Sequence, residues 1–129
     1  MPSKNQGIIE KFVYCAIPTR IKGSSKEIMT YVIGRKHIPI FPFAVFPYNL
    51  FEGGSVGRKN TMAACRELVK FCSQSWVFGI SKGVLGDIAP AINLNKRIEL
   101  HLEFDPEWEK YAEILRSRPK YRNILNKLV

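Results

Sequence analysis

A chain of 129 residues with 46% hydrophobic side chains has the size of one domain and can bury a core without metal or disulfide staples. Its 20 Lys and Arg against 11 Asp and Glu leave a net charge of +9 and a pI near 9.7, so anionic ligands are attracted over about one Debye length, roughly 8 Å at physiological salt. No run of eighteen apolar residues occurs, and the opening Met-Pro-Ser-Lys-Asn-Gln-Gly has no apolar stretch behind its lysine, which argues against a membrane span or secretory signal and for a cytoplasmic protein.

After that polar lead, the continuous apolar run 11–17 (Lys-Phe-Val-Tyr-Cys-Ala-Ile) predicts a strand covered on both faces. The loop 18–25 follows, with two bases, a glycine and hydroxyls. Ile28, Met29, Val32 and Ile33 then keep helical spacing, with Ser24 or Ser25 as the cap and Glu27 in the first turn. Ile38 to Phe43 reads as a short second strand limited by its prolines. The aromatic and glycine-rich connection 44–59 is too apolar for a plain linker and predicts a pocket lid or a subunit contact. Its rings, with Phe41 and Phe43, are read either as core or as a stacking wall for a base.

Asn60 or Thr61 is expected to cap a helix carrying Met62, Cys65, Leu68, Val69 and Cys72, and 75–79 (Ser-Trp-Val-Phe-Gly) to form a third buried strand with Trp76 in the packing. A loop 81–87 leads to a helix around Ile88 to Leu94, then to a fourth strand at Arg97–Leu102. Asp105-Pro106-Glu107 starts a helical tail interrupted at Pro119. Strands alternating with helices predict a single α/β domain, a doubly wound, mostly parallel sheet with about four to five strands and flanking helices. In such a sheet ligands bind beyond the carboxyl ends of the strands.

Cys15, Cys65 and Cys72 have no metal-ligand spacing and are read as buried thiols of a reducing compartment. His37 and His101 lie far apart and lack zinc partners, so no metal site is expected, and a side-chain nucleophile would need no cofactor. The basic tail Arg116, Arg118, Lys120 and Arg122 reads as a solvated helix face, with nucleic-acid contact as the alternative.

Two loops leave predicted strand ends with the composition that anion binding requires, 18–25 and 79–87. Such loops offer backbone N–H groups and a helix N-terminus to phosphate. Arg20, Gly23 and Ser24 in the first, with Ser81 and Gly83 in the second, are the candidate phosphate ligands. Asp87, six residues after Ser81, admits two readings: a nucleophile for the anomeric carbon of a ribosyl phosphate, or a helix N-cap with Pro90 in the first turn. Tyr14, near the end of the first strand, either touches a sugar or is core with its hydroxyl at the rim.

Residues 13–18 (Val-Tyr-Cys-Ala-Ile-Pro), the loop Arg20 to Glu27, and above all 76–91 (Trp-Val-Phe-Gly-Ile-Ser-Lys-Gly-Val-Leu-Gly-Asp-Ile-Ala-Pro-Ala) resemble the nucleoside 2-deoxyribosyltransferase-like superfamily, which includes 2'-deoxynucleoside 5'-monophosphate N-glycosidases. The resemblance covers about residues 12–100. It implies a flavodoxin-like fold, often dimeric, with Asp87 where the family's catalytic glutamate attacks C1', Ser81 on the 5'-phosphate, and Tyr14 and Arg20 in ligand contact. The acid here is one methylene shorter than glutamate, and Ser73 stands where the family commonly has aspartate. The expectation is therefore a homodimer that binds a nucleoside 5'-monophosphate and cleaves or transfers its N-glycosidic bond, the alternatives being a non-catalytic nucleotide sensor and a nucleic-acid-binding protein.

Overall fold

The computed structural model describes residues 11–129; the polar lead lies in residues 1–10, outside the described residues. Four strands, β1 (Phe12–Ala16), β2 (Ile38–Ile40), β3 (Gln74–Val77) and β4 (Arg97–Leu100), form one all-parallel sheet in the order β2-β1-β3-β4. Register is set by Tyr14 opposite both Ile40 and Ser75, and by Trp76 opposite Glu99. The connection from β1 to β2 runs through α1 (Ser25–Gly34). That from β2 to β3 passes α2 (Pro42–Val45) and α3 (Arg58–Phe71), and β3 reaches β4 through α4 (Lys82–Asn93). The chain closes with α5 (Trp108–Arg116) and α6 (Pro119–Leu128).

Because side chains alternate across a strand, β1 feeds two cores. Val13, Cys15 and Ile17 pack with Ile28 and Val32 of α1, together with Trp76 and Phe78. Tyr14 and Ala16 face the other way, onto Val69 of α3, Leu85 and Ile88 of α4, and Leu115 and Leu125 of α5 and α6. Helices thus cover both faces of the sheet, the doubly wound α/β arrangement. Among the described residues no helix is long and apolar enough to cross a membrane.

The structure corrects several expected boundaries. The second strand stops at Ile40, and Pro42 opens the one-turn α2 in place of extending the strand. Neither Asn60 nor Thr61 caps α3, which starts from Gly57; their side chains donate back to Val56 O and Gly57 O at 3.0 and 2.7 Å. Neither Ser24 nor Ser25 caps α1 with its side chain, since the Ser25 hydroxyl donates to Lys22 O instead. The break at Pro119 separates α5 from α6, as the proline implies. Lys96, just before β4, donates to the carbonyls of Val69, Lys70 and Cys72 and so satisfies the open end of α3. All three cysteines are buried free thiols. His101 is buried too, bonded to the Tyr31 hydroxyl at 2.9 Å through Nδ1 and stacked on Phe78.

Candidate functional site

The crossovers diverge at β1 and β3, neighbours whose following loops part at their carboxyl ends. A cavity of about 790 Å³ opens there. The turn after β1 supplies Thr19, Arg20 and Lys22. The start of α4 supplies Ser81, Lys82 and Gly83, while α3 adds Thr61, Met62 and Cys65. The connection after α2 lends Phe46, Tyr48 and Glu52 to the wall, and α5 reaches in with Tyr111.

Helix α4 begins six residues earlier than the sequence suggests. Ser81 is its N-cap: extended at φ −158°, ψ 168°, it accepts the Val84 N–H on its Oγ at 3.1 Å. The N–H groups of the first turn have no intrahelical acceptor and carry the positive end of the helix dipole, which suits an anion. Val84, Leu85, Ile88 and Ala91 form the buried face of the helix, with Val84 reaching the cavity wall as well.

This start places Asp87 in the second turn, so the N-cap reading of Asp87 is overturned and Pro90 lies inside the helix, where it gives up one backbone bond. Gly83 and Asp87 are four residues apart and share one face, both on the cavity wall. Asp87 Oδ2 accepts the Tyr14 hydroxyl at 2.9 Å. Burial pushes the Asp87 carboxyl up to about 6, an effect moderated by the Tyr14 hydrogen bond and by Arg66 and increased by the Glu52 charge. Burial, and after it the Asp87 charge, drives the Tyr14 phenol far above its ordinary range and lifts the neighbouring Cys65 thiol to about 11. Cys65 is thus a neutral thiol on the wall.

Tyr14 itself is fully buried and forms no part of the wall. The sugar-contact reading therefore gives way to one in which Tyr14 acts through Asp87. Gly23 and Ser24 also stand outside the wall, at the far end of the 3-10 turn Thr19–Ser24. Arg20 lies on the wall, but its guanidinium is committed: it pairs with Asp105 and stacks on the Tyr111 ring at 3.7 Å from the centroid. Lys22 and Lys82 supply further positive charge, and Lys22 sits 5.3 Å from the Phe43 ring centre. Phe43, Phe46 and Tyr48 form the aromatic wall, Phe41 belongs to the core, and Phe51 packs on Phe46 at 5.0 Å.

Lys82, Glu52, Arg58, Tyr111 and Asp105 are site or supporting residues that the sequence reading passed over. The first could have been found from its place beside Ser81 once the helix start was known. Asp105 is 1% exposed and accepts the Ile80 N–H at 3.2 Å as well as Arg20, tying the end of β3 to the turn after β1. Gly79 makes room for it, because a Cβ there would lie 2.6 Å from Asp105 Oδ2 and 2.7 Å from Pro18 Cγ. Gly79→Ala is accordingly expected to cost about 2 kcal/mol of stability in urea unfolding, since neither neighbour can move without opening the Asp105 contacts.

The chain belongs to the family Domain of unknown function (DUF7768), whose model matches residues 17–101. No curated protein and no solved structure matches it.

Proposed function

We propose that the cavity binds a nucleoside 5'-monophosphate and that the protein cleaves or transfers its N-glycosidic bond, as the resemblance to nucleoside 2-deoxyribosyltransferase-like proteins implies. The observation that carries this reading is the half-buried carboxylate of Asp87, oriented by the Tyr14 hydroxyl at 2.9 Å on the helix whose N-terminus opens into the same cavity. An anion at that N-terminus, held by Ser81, Gly83 and Lys82, anchors the phosphate, and the base lies against the aromatic wall. Asp87 then bonds to C1' while the C1'–N bond breaks, its electron pair leaving with the base, which takes a proton from water. The glycosyl ester on Asp87 passes to water or to a second base. Arg20, engaged by Asp105, shapes this wall and contributes charge.

Incubation with a panel of nucleoside 5'-monophosphates, followed by chromatography for free base, tests the reading. Release is expected to rise with pH through about 6 as Asp87 ionises, and to vanish in Asp87→Ala. Release that persists in Asp87→Ala would overturn the assignment of the nucleophile. Calorimetric binding without release by the unaltered protein would leave a nucleotide sensor in its place.

A further inference from the structure

We propose that Glu52 is the general base of the second half-reaction, taking the proton from the water that hydrolyses the glycosyl ester on Asp87; this assignment rests on the N-glycosidase reading above. Glu52 and Asp87 are the two carboxylates on the cavity wall among the described residues. The Glu52 charge is one of the causes that raise the Asp87 carboxyl. Retaining glycosidases that form a covalent glycosyl intermediate commonly use two carboxyl groups with different duties, one bonding to carbon and one handling the proton of water.

The surroundings of the two separate these duties. Asp87 is sunk in the wall and held by Tyr14 from below. Glu52 has 39% of its side chain open to solvent and is held at 3.0 Å by Arg58, the first residue of α3. The Arg58 bond uses Oε1 and holds the side chain in place, while its exposure gives water access to the carboxylate, as a base requires. Its position is fixed by the strap that carries it: Gly53 N–H donates to Tyr48 O at 2.9 Å, and Gly57 N–H to Phe51 O at 2.8 Å. A Cβ at Gly54 would collide with the Asn49 carbonyl and the Leu50 backbone, so the strap closes this tightly only with glycine there.

In the step itself the water oxygen bonds to C1', and the C1'–O bond to Asp87 breaks with its electron pair returning to the carboxylate. The water proton passes to Glu52 and from there to solvent.

The test uses Glu52→Gln, which keeps the shape and can still accept a bond from Arg58 but cannot take a proton. With the nucleotide cleaved best in the panel, rapid-quench kinetics should show the same initial release of about one base per protein as in the unaltered chain. Steady turnover should then fall about a hundredfold or more. Intact mass should show the sugar phosphate retained on the protein, absent in the double variant with Asp87→Ala. Sodium azide, a nucleophile that needs no base, should restore turnover, and Glu52→Asp should recover part of it. Steady turnover within a few-fold of the unaltered protein overturns the assignment. So does loss of the initial release together with turnover in a variant whose circular dichroism is unchanged, which would place Glu52 before the first bond change. Absence of base release from the unaltered protein removes the N-glycosidase reading and this role with it, an outcome recognisably different from either.

Discussion

Asp105→Ala is expected to lower the free energy of unfolding by about 3–5 kcal/mol, a large share of the stability of a domain this size. Asp105 is closed off from water, and its two oxygens serve three donors: the Arg20 guanidinium, the Ile80 N–H at 3.2 Å, and the Glu107 N–H at 3.2 Å. Removing the carboxylate strands the Ile80 N–H in the core and leaves the mostly buried Arg20 with its charge unmatched. The Arg20 Nε already has no hydrogen-bond partner among the described residues, so the loss is not absorbed by a spare acceptor. Arg20→Met should also destabilise, by leaving a carboxylate without its cation. The double variant Arg20→Met with Asp105→Leu should be less damaged than the sum of the two single changes, because no charge is then left buried alone. Urea unfolding monitored by tryptophan fluorescence measures all three. A loss under about 1 kcal/mol for Asp105→Ala would mean that the pair behaves as a surface ion pair.

Asp87→Asn is expected to act in the opposite sense on stability. The folded protein holds Asp87 with a pKa of about 6, whereas an ordinary aspartate titrates near 3.8. Between those two pH values the folded state binds more protons at this site than the unfolded chain does. Stability from this group is thus fully present below about 3.8 and is lost as pH rises through 6. Above pH 6 the ionised, half-buried carboxylate costs the fold up to about 3 kcal/mol. An asparagine carries no such cost and still accepts the Tyr14 hydroxyl. The variant should therefore melt about 5–10 °C higher at pH 7.5. At pH 4 the two proteins should melt alike. Equal melting temperatures at both pH values would show that the carboxylate is better solvated than its burial implies.

The layered fold was readable because it depends on local pattern. The run from Phe12 to Ile17 and the spacing of Met62, Cys65, Leu68 and Val69 each carry their own period, and the order of strands and helices follows from them. Helix α4 was read short for an equally local reason. Gly83, Gly86 and Pro90 are breakers by propensity, yet the Ser81 cap and the buried face formed by Val84, Leu85, Ile88 and Ala91 outweigh them. At the site, Ser81, Gly83 and Asp87 were visible because they lie within one turn or two of each other. What joins them to the rest was not visible. Tyr14 meets Asp87 across 73 positions and Arg20 meets Asp105 across 85, and such pairs depend on strand register and on how each crossover lands. Asp105 carried a local sign as an expected helix cap, but α5 starts at Trp108 from Glu107, and Asp105 Oδ1 accepts the Glu107 N–H ahead of it. Its second oxygen, turned into the core, left no trace in the neighbouring residues.

Residues 17–101, the stretch matched by the family model, begin one residue after β1 ends and stop four residues before Asp105. Yet β1 is the strand that both β2 and β3 pair with, and Leu115 and Leu125 close the core on the side that holds Asp87. Strand β1 and helices α5 and α6 are thus part of the same folded core as the matched stretch. Tyr111, which closes part of the cavity wall, lies on α5 beyond that stretch, so the site draws on residues that the family match does not reach.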